Sequence, residues 1–273
     1  MNSVNSPLIS VILRTYNQPK RILSDCIESV FSQTYSNWEL IIADDSNSQE
    51  SIDLINEYVN KDKRVILNKK AERRGYVGSM NDALKVSKGE FIAILDSDDA
   101  AVPERFQLQL DYFESHPKCD ILGGAMNIID KDSNITSTRY YPEGGLKLLV
   151  WMALRDPVGH PTVMFKRKIL DDGFLYDMDF NKGCEDTAFW FRLRNNGYKI
   201  RNIQTPLVSY RIMVDMATKR GRDNDLNYLA RKKNFSWKYC IFDVVSLAAI
   251  KMRMALPKSV ISWLYRKENK QKY

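Results

Sequence analysis

An α/β fold with a mostly parallel central sheet flanked by helices follows from three features of this sequence. Residues 8–13, 39–43 and 91–95 are short runs dominated by aliphatic side chains, the pattern of strands buried on both faces. Segments with apolar residues near helical spacing lie between the runs. Strands alternating with helices imply parallel pairing through right-handed crossovers. Each run also ends in polar or acidic residues: 14–19, 44–48 and 96–99. Open parallel sheets bind ligands at that carboxyl edge.

Along the chain, the first strand is followed from Arg21 by Ile22, Leu23, Cys26, Ile27, Val30 and Phe31, which predict a helix ending near Gln33. A second strand at 39–43 leads to a helix at 51–59 and a third strand at 64–67. The basic, glycine-bearing stretch 73–84 enters a helix that runs to about Ser87 and is closed by Gly89. Pro103 fits a first helical turn, and Phe106, Leu108, Leu110, Tyr112 and Phe113 continue that helix. Residues 119–124 and 126–129 read as a strand and a partner, with 131–134 as a turn. The apolar run 144–154 predicts a packed helix, and 207–211 the last strand of the body.

Composition is that of a globular protein, 44% hydrophobic and 27% charged over 273 residues. The four cysteines are far apart, with no C-x-x-C pair, and read as reduced thiols. No basic-then-apolar leader and no stretch of membrane-span length is present, so neither export nor integral insertion is expected. Neither G-x-G-x-x-G nor G-x-x-x-x-G-K-[ST] occurs, which argues against a dinucleotide or P-loop cradle. The net charge of +7 is uneven: residues 216–273 hold fourteen Lys or Arg against four Asp or Glu, leaving 27 against 30 before them. The protein divides into a slightly acidic body, 1–215, and a helical, basic-aromatic segment, 216–273. Without a recognised nucleic-acid module, the basic charge does not point to nucleic acid.

The run 91–95 stops in Asp96, Asp98 and Asp99. Three acids this close repel one another unless a hard cation with oxygen ligands sits among them, or they form an acidic turn that caps the next helix. Glu185 and Asp186 open an apolar helix, where acids also simply complement the helix dipole.

Five motifs in order carry a resemblance: ISVILRTYN at 9–17, SQTYSNWELIIADDS at 32–46, NDALKVSKGEFIAILDSDD at 81–99, GHPTVMF at 159–165 and EDTAFWFRL at 185–193. Together they resemble the family 2 glycosyltransferases of GT-A fold, over about residues 8–212. The resemblance implies that Tyr16 stacks on a nucleotide base and that Asp45 accepts its imide N–H, a donor that uracil has and cytosine lacks. UDP follows as the carrier. Arg73 or Arg74 reaches base or phosphate, or forms a solvated turn; Asp44 is structural, or exchanges roles with Asp45. By the same resemblance Asp98 holds Mn²⁺ or Mg²⁺, Asp96 the same ion or the ribose, and Asp99 stays unassigned between ligand and helix cap. Asp186 becomes the catalytic base of an inverting displacement, expected to keep a low pKa at its helix N-terminus, and Glu185 helps to hold donor or acceptor. His160 is either structural or placed near sugar, acceptor or metal; His116 is structural.

The tail mixes cations at 231–233, 251, 253 and 266–267 with the aromatics Trp237, Tyr239, Phe242, Trp263 and Tyr265. That mixture suits an anionic membrane interface; the alternative is a helix pair packed on the body or on a second subunit. The expected protein is an inverting, metal-dependent enzyme moving a hexose or N-acetylhexosamine from a UDP-sugar to a glycan hydroxyl, with a lipid-linked acceptor, on the cytoplasmic face of the cell membrane. The competing readings are a non-catalytic nucleotide-binding module and a basic-tailed adaptor. Oligomeric state is left open by the sequence.

Overall fold

The computed structural model describes residues 6–212, 224–256 and 260. Four parallel strands form its first half: β1 (Ile9–Thr15), β2 (Trp38–Asp44), β3 (Val65–Lys69) and β4 (Phe91–Asp96), in the order β3-β2-β1-β4. The crossovers are α1 (Lys20–Phe31), α2 (Gln49–Lys61) and α3 (Gly75–Val86). Val11 and Leu13 face one hydrophobic cluster with Leu23, Ile27, Leu54 and Ile55 of α1 and α2. Ile12, pointing the other way, meets Val77 and Met80 of α3. Two apolar faces on one strand explain why these runs do not alternate in polarity.

The second half of the nine-stranded sheet is mixed, and it brings the later motifs beside the parallel edge. Its strands are β5 (Ala100–Ala101), β6 (Ile121–Ile129), β7 (Ile135–Arg139), β8 (Met164–Lys166) and β9 (Ile200–Arg211). β8 runs antiparallel to both β4 and β6, whereas β6 and β9 are parallel. The helices are α4 (Arg105–Ser115), α5 (Gly145–Leu154), α6 (Lys168–Asp171) and α7 (Glu185–Asn195).

Two expectations change here. Residues 121–129 are one strand, not a strand and its partner; the partner is β7, reached through the 130–134 turn. The glycines in β6 mark a register shift against β9, where a Cβ on Gly124 would lie 2.5 Å from Leu207 Cδ1. The last strand begins at Ile200, seven residues before the apolar run that signalled it. Arg201, Gln204 and Thr205 break that pattern because this part of β9 is only partly covered.

The C-terminal elements α8 (Asn224–Lys233) and α9 (Cys240–Ala255) are helical as expected and pack on the body. Arg194 of α7 makes a buried two-pronged ion pair with Asp243 of α9, at 2.8 and 2.9 Å. Arg231 of α8 is also buried, donating to Asn227 Oδ1 and Ser246 Oγ at 2.7 Å each and to the Met152 carbonyl. Trp263, Tyr265 and residues 266–267 lie outside the described residues, as does the boundary proposed at 215 and 216.

Candidate active site

A cavity of about 860 Å³ opens where the carboxyl ends of β1 and β4 meet the N-terminus of α7. Tyr16, Asp96, Asp98, His160, Glu185 and Asp186, from four separate motifs, all line it. Local backbone explains the convergence. Tyr16 immediately follows β1, Asp96 ends β4, and β8 draws the preceding 159–162 turn against β4. Cys184, at φ 62°, turns the chain sharply into α7 and points its first two acids inward.

The remaining expected donor residues lie around Tyr16 and do not line this cavity. The Arg73 guanidinium stacks 4.0 Å above the Tyr16 ring. The Asp45 carboxylate is buried, with Oδ1 accepting the Arg74 N–H at 3.4 Å and Oδ2 lacking a hydrogen-bond partner, 3.9 Å from Arg14 Nη2. Arg74 instead pairs with Asp82 at 3.3 Å, and its carbonyl accepts from Asn181 at the start of α3. Gly75 there has φ 71°, and a Cβ would lie 2.6 Å from Asn181 Nδ2, so the close approach requires glycine. Asp44 is engaged by Lys69 at 2.7 Å and by the Ser46 N–H at 2.8 Å.

Electrostatics divide the acids. Burial alone would raise Asp96, but His160 and the Tyr76 hydroxyl, which donates at 3.2 Å, hold it below the ordinary carboxylate range. His160 loses by burial and gains more from Asp96, with help from Asp186 and Glu185, so it reaches about 9. Burial followed by the Asp156 charge pushes Asp186 up to about 6, and burial followed by Asp186 pushes Glu185 up to about 8. The low pKa expected from the helix N-terminus is therefore overturned: desolvation and like charges outweigh a dipole worth about 1 kcal/mol. Asp99 is no helix cap. Its Oδ1 accepts the Arg211 N–H at 2.9 Å and so ties β9 to the acidic turn, while α4 starts only at Arg105.

Residues 10–174 match the family model described as glycosyl transferase family 2. The chain belongs to glycosyl transferase family 2. An uncharacterized glycosyltransferase of Methanocaldococcus jannaschii is 33% identical over 239 residues, covering 87% of this chain and 79% of that protein. The Escherichia coli WfaP, named UDP-Glc:alpha-D-GlcNAc-diphosphoundecaprenol beta-1,3-glucosyltransferase, is 32% identical over 206 residues, 75% of this chain and 77% of its own. Staphylococcus aureus TarS 1–349 in complex with UDP-GlcNAc superposes with a TM-score of 0.69 at 17% identity, over 92% of this chain and 74% of that one, which shows the shared GT-A fold.

Several residues of the glycosyltransferase site were given no role by the motifs. Tyr176 Oη lies 2.9 Å from His160 Nε2, and Tyr76 and Trp190 complete an aromatic surround within 6.5 Å of the imidazole. Thr187 Oγ1 donates to Asp156 Oδ1 at 2.6 Å, fixing the first turn of α7 against the chain after α5. Arg14 reaches over the Tyr76 ring at 5.1 Å. The only available hint was position: Arg14 precedes the strand-end Tyr16, and Asp156 the histidine turn. Among the described residues no cluster of three or more His, Cys, Asp or Glu is arranged to hold a metal by itself. Two cavity carboxylates, Asp96 and Asp98, are oxygen donors of the kind that a hard divalent ion takes.

Proposed function

We propose that this glycosyltransferase moves a hexose or N-acetylhexosamine from a UDP-sugar to a hydroxyl of a lipid-linked glycan, with inversion at the anomeric carbon. The observation that carries the reading is the convergence of Asp186 with Asp96 and Asp98 on one cavity. Tyr16, stiffened by Arg73, offers a face for uracil, and the buried Asp45 offers an acceptor to its imide N–H. Asp98 and Asp96 would hold Mn²⁺ or Mg²⁺, which when bound offsets charge on the departing diphosphate. Asp186 takes the acceptor hydroxyl proton as that oxygen bonds to the anomeric carbon and the bond to the UDP oxygen breaks. At about 6 its pKa leaves it ionised at neutral pH yet more basic than an exposed aspartate, which improves proton acceptance. Glu185 and His160 orient donor and acceptor around it.

WfaP, with its diphosphoundecaprenol-linked acceptor, supports a lipid-linked glycan as the second substrate. The body, 1–215, would carry catalysis and the basic segment, 216–273, would hold the enzyme peripherally on the cytoplasmic face of the membrane; no helix among the described residues is long and apolar enough to cross one. The test is Asp186→Asn. UDP affinity by calorimetry should stay within a few-fold of wild type while transfer falls by about 10²–10⁴. Retained turnover removes Asp186 as the base.

A further inference from the structure

Two helices that pack side by side, α5 of the body and α9 of the C-terminal segment, each turn an apolar stripe to solvent. On α5 the stripe is Leu146, Val150 and Leu154, one residue per turn, with Leu146 68% exposed. On α9 it is Ile241, Val244, Val245 and Met252, with Ile241 74% exposed, and Trp237 in the turn ahead of α9 is 85% exposed. Buried positions on the opposite faces, Leu148 and Met152 on α5 and Asp243, Ser246 and Ile250 on α9, account for packing on the body. The exposed stripes are left over after the fold has been satisfied.

Charge on the same elements has one sign. Lys147, Lys238, Lys251 and Arg253 are exposed, whereas the only acid on either helix, Asp243, is buried against Arg194. Aliphatic and indole groups rimmed by cations complement an anionic bilayer, apolar side chains entering the acyl boundary and cations meeting the headgroups. The stripe also runs to the active site: Leu154 and Arg253 both line the catalytic cavity.

We propose that the joint α5–α9 face is the docking surface for an anionic lipid bilayer, so that the cavity opens at the membrane and takes its acceptor from there. The proposal rests on the lipid-linked acceptor reading and differs from it in assigning half of the contact to the catalytic body. The basic tail alone would need no α5.

The test uses the full-length chain, sedimented with vesicles of phosphatidylcholine alone or mixed equally with phosphatidylglycerol. Wild type should bind the anionic vesicles about ten-fold better or more, with binding falling as salt rises. Leu146→Glu with Val150→Glu on α5, and Ile241→Glu with Val245→Glu on α9, should each lower that binding about ten-fold. Lys147→Gln with Lys251→Gln, which leaves the buried faces of both helices intact and gives up only the Lys251 contact 5.4 Å above the Tyr228 ring, should reduce the anionic preference about ten-fold and stands in if a glutamate pair fails to fold by circular dichroism. Wild-type binding in all folded variants overturns the proposal, as does loss confined to the α9 pair, or dispersal of a dimer by the α5 pair without any vesicle effect. UDP affinity, measured on the same proteins, separates the two readings: its absence in wild type strikes the donor assignment and leaves the vesicle result standing.

Discussion

His160 Nδ1 lies 3.8 Å from Asp96 Oδ1, joining the 159–162 turn to the end of β4 across the floor of the cavity. The imidazole sits among Asp96, Glu185 and Asp186, with Arg14 as a second positive charge acting on Asp96, and Tyr176 Oη, 2.9 Å from Nε2, holds the ring.

Replacing His160 by alanine leaves the Tyr176 hydroxyl buried without this partner and removes the positive charge beside Asp96. Chemical denaturation should show a loss of about 1–3 kcal/mol, and UDP-sugar affinity should fall. His160→Gln, which keeps a hydrogen bond to Tyr176, should recover stability better than affinity.

Transfer should have an acid limb. Asp186 is raised to about 6, so it is protonated, and useless as a base, below that pH and ionised above it. kcat/KM should therefore rise about ten-fold per pH unit up to about 6 and then level. Asp156 is the largest charge raising it, so Asp156→Asn should move the limb to lower pH; an unmoved limb in a pH–rate profile would remove Asp156 from this role.

The Arg194–Asp243 pair predicts how firmly the C-terminal helices are docked. Asp243→Ala leaves a buried guanidinium without its counter-ion and should cost about 3–5 kcal/mol in a denaturant melt. Truncation at residue 215 should be at least as damaging, because it removes Asp243 and Arg231 together.

Calorimetric titration of UDP in EDTA should show affinity reduced at least about ten-fold, restored by Mn²⁺ or Mg²⁺, since the carboxylates of Asp96 and Asp98 would otherwise face the diphosphate as like charges. Equal affinity with and without chelator would remove the ion from donor binding.

Much of this molecule was legible in one dimension. The strands β1, β2 and β4 were visible because a strand covered on both faces cannot alternate, and the acids at their ends marked the binding edge. The five ordered motifs pointed to the family and supplied Tyr16, Asp96, Asp98, His160, Glu185 and Asp186 of the cavity lining. What could not be read were relationships between distant segments. Arg74 looked equivalent to Arg73, yet one pairs with Asp82 and the other stacks on Tyr16. Asp99 was left open between ligand and helix cap, yet it is neither cap nor free: it accepts the Arg211 backbone N–H. The antiparallel insertion of β8 had no signature in a three-residue strand.

By itself, then, the sequence determined the α/β class, the family and the residue types at the strand ends, because burial on two faces and short-range spacing are local properties. Only the tertiary structure decided the protonation of Glu185 and Asp186, the partner of His160 and the common exposure of α5 and α9. Those depend on desolvation and on charges brought together from segments far apart in the chain, and no local pattern encodes that sum.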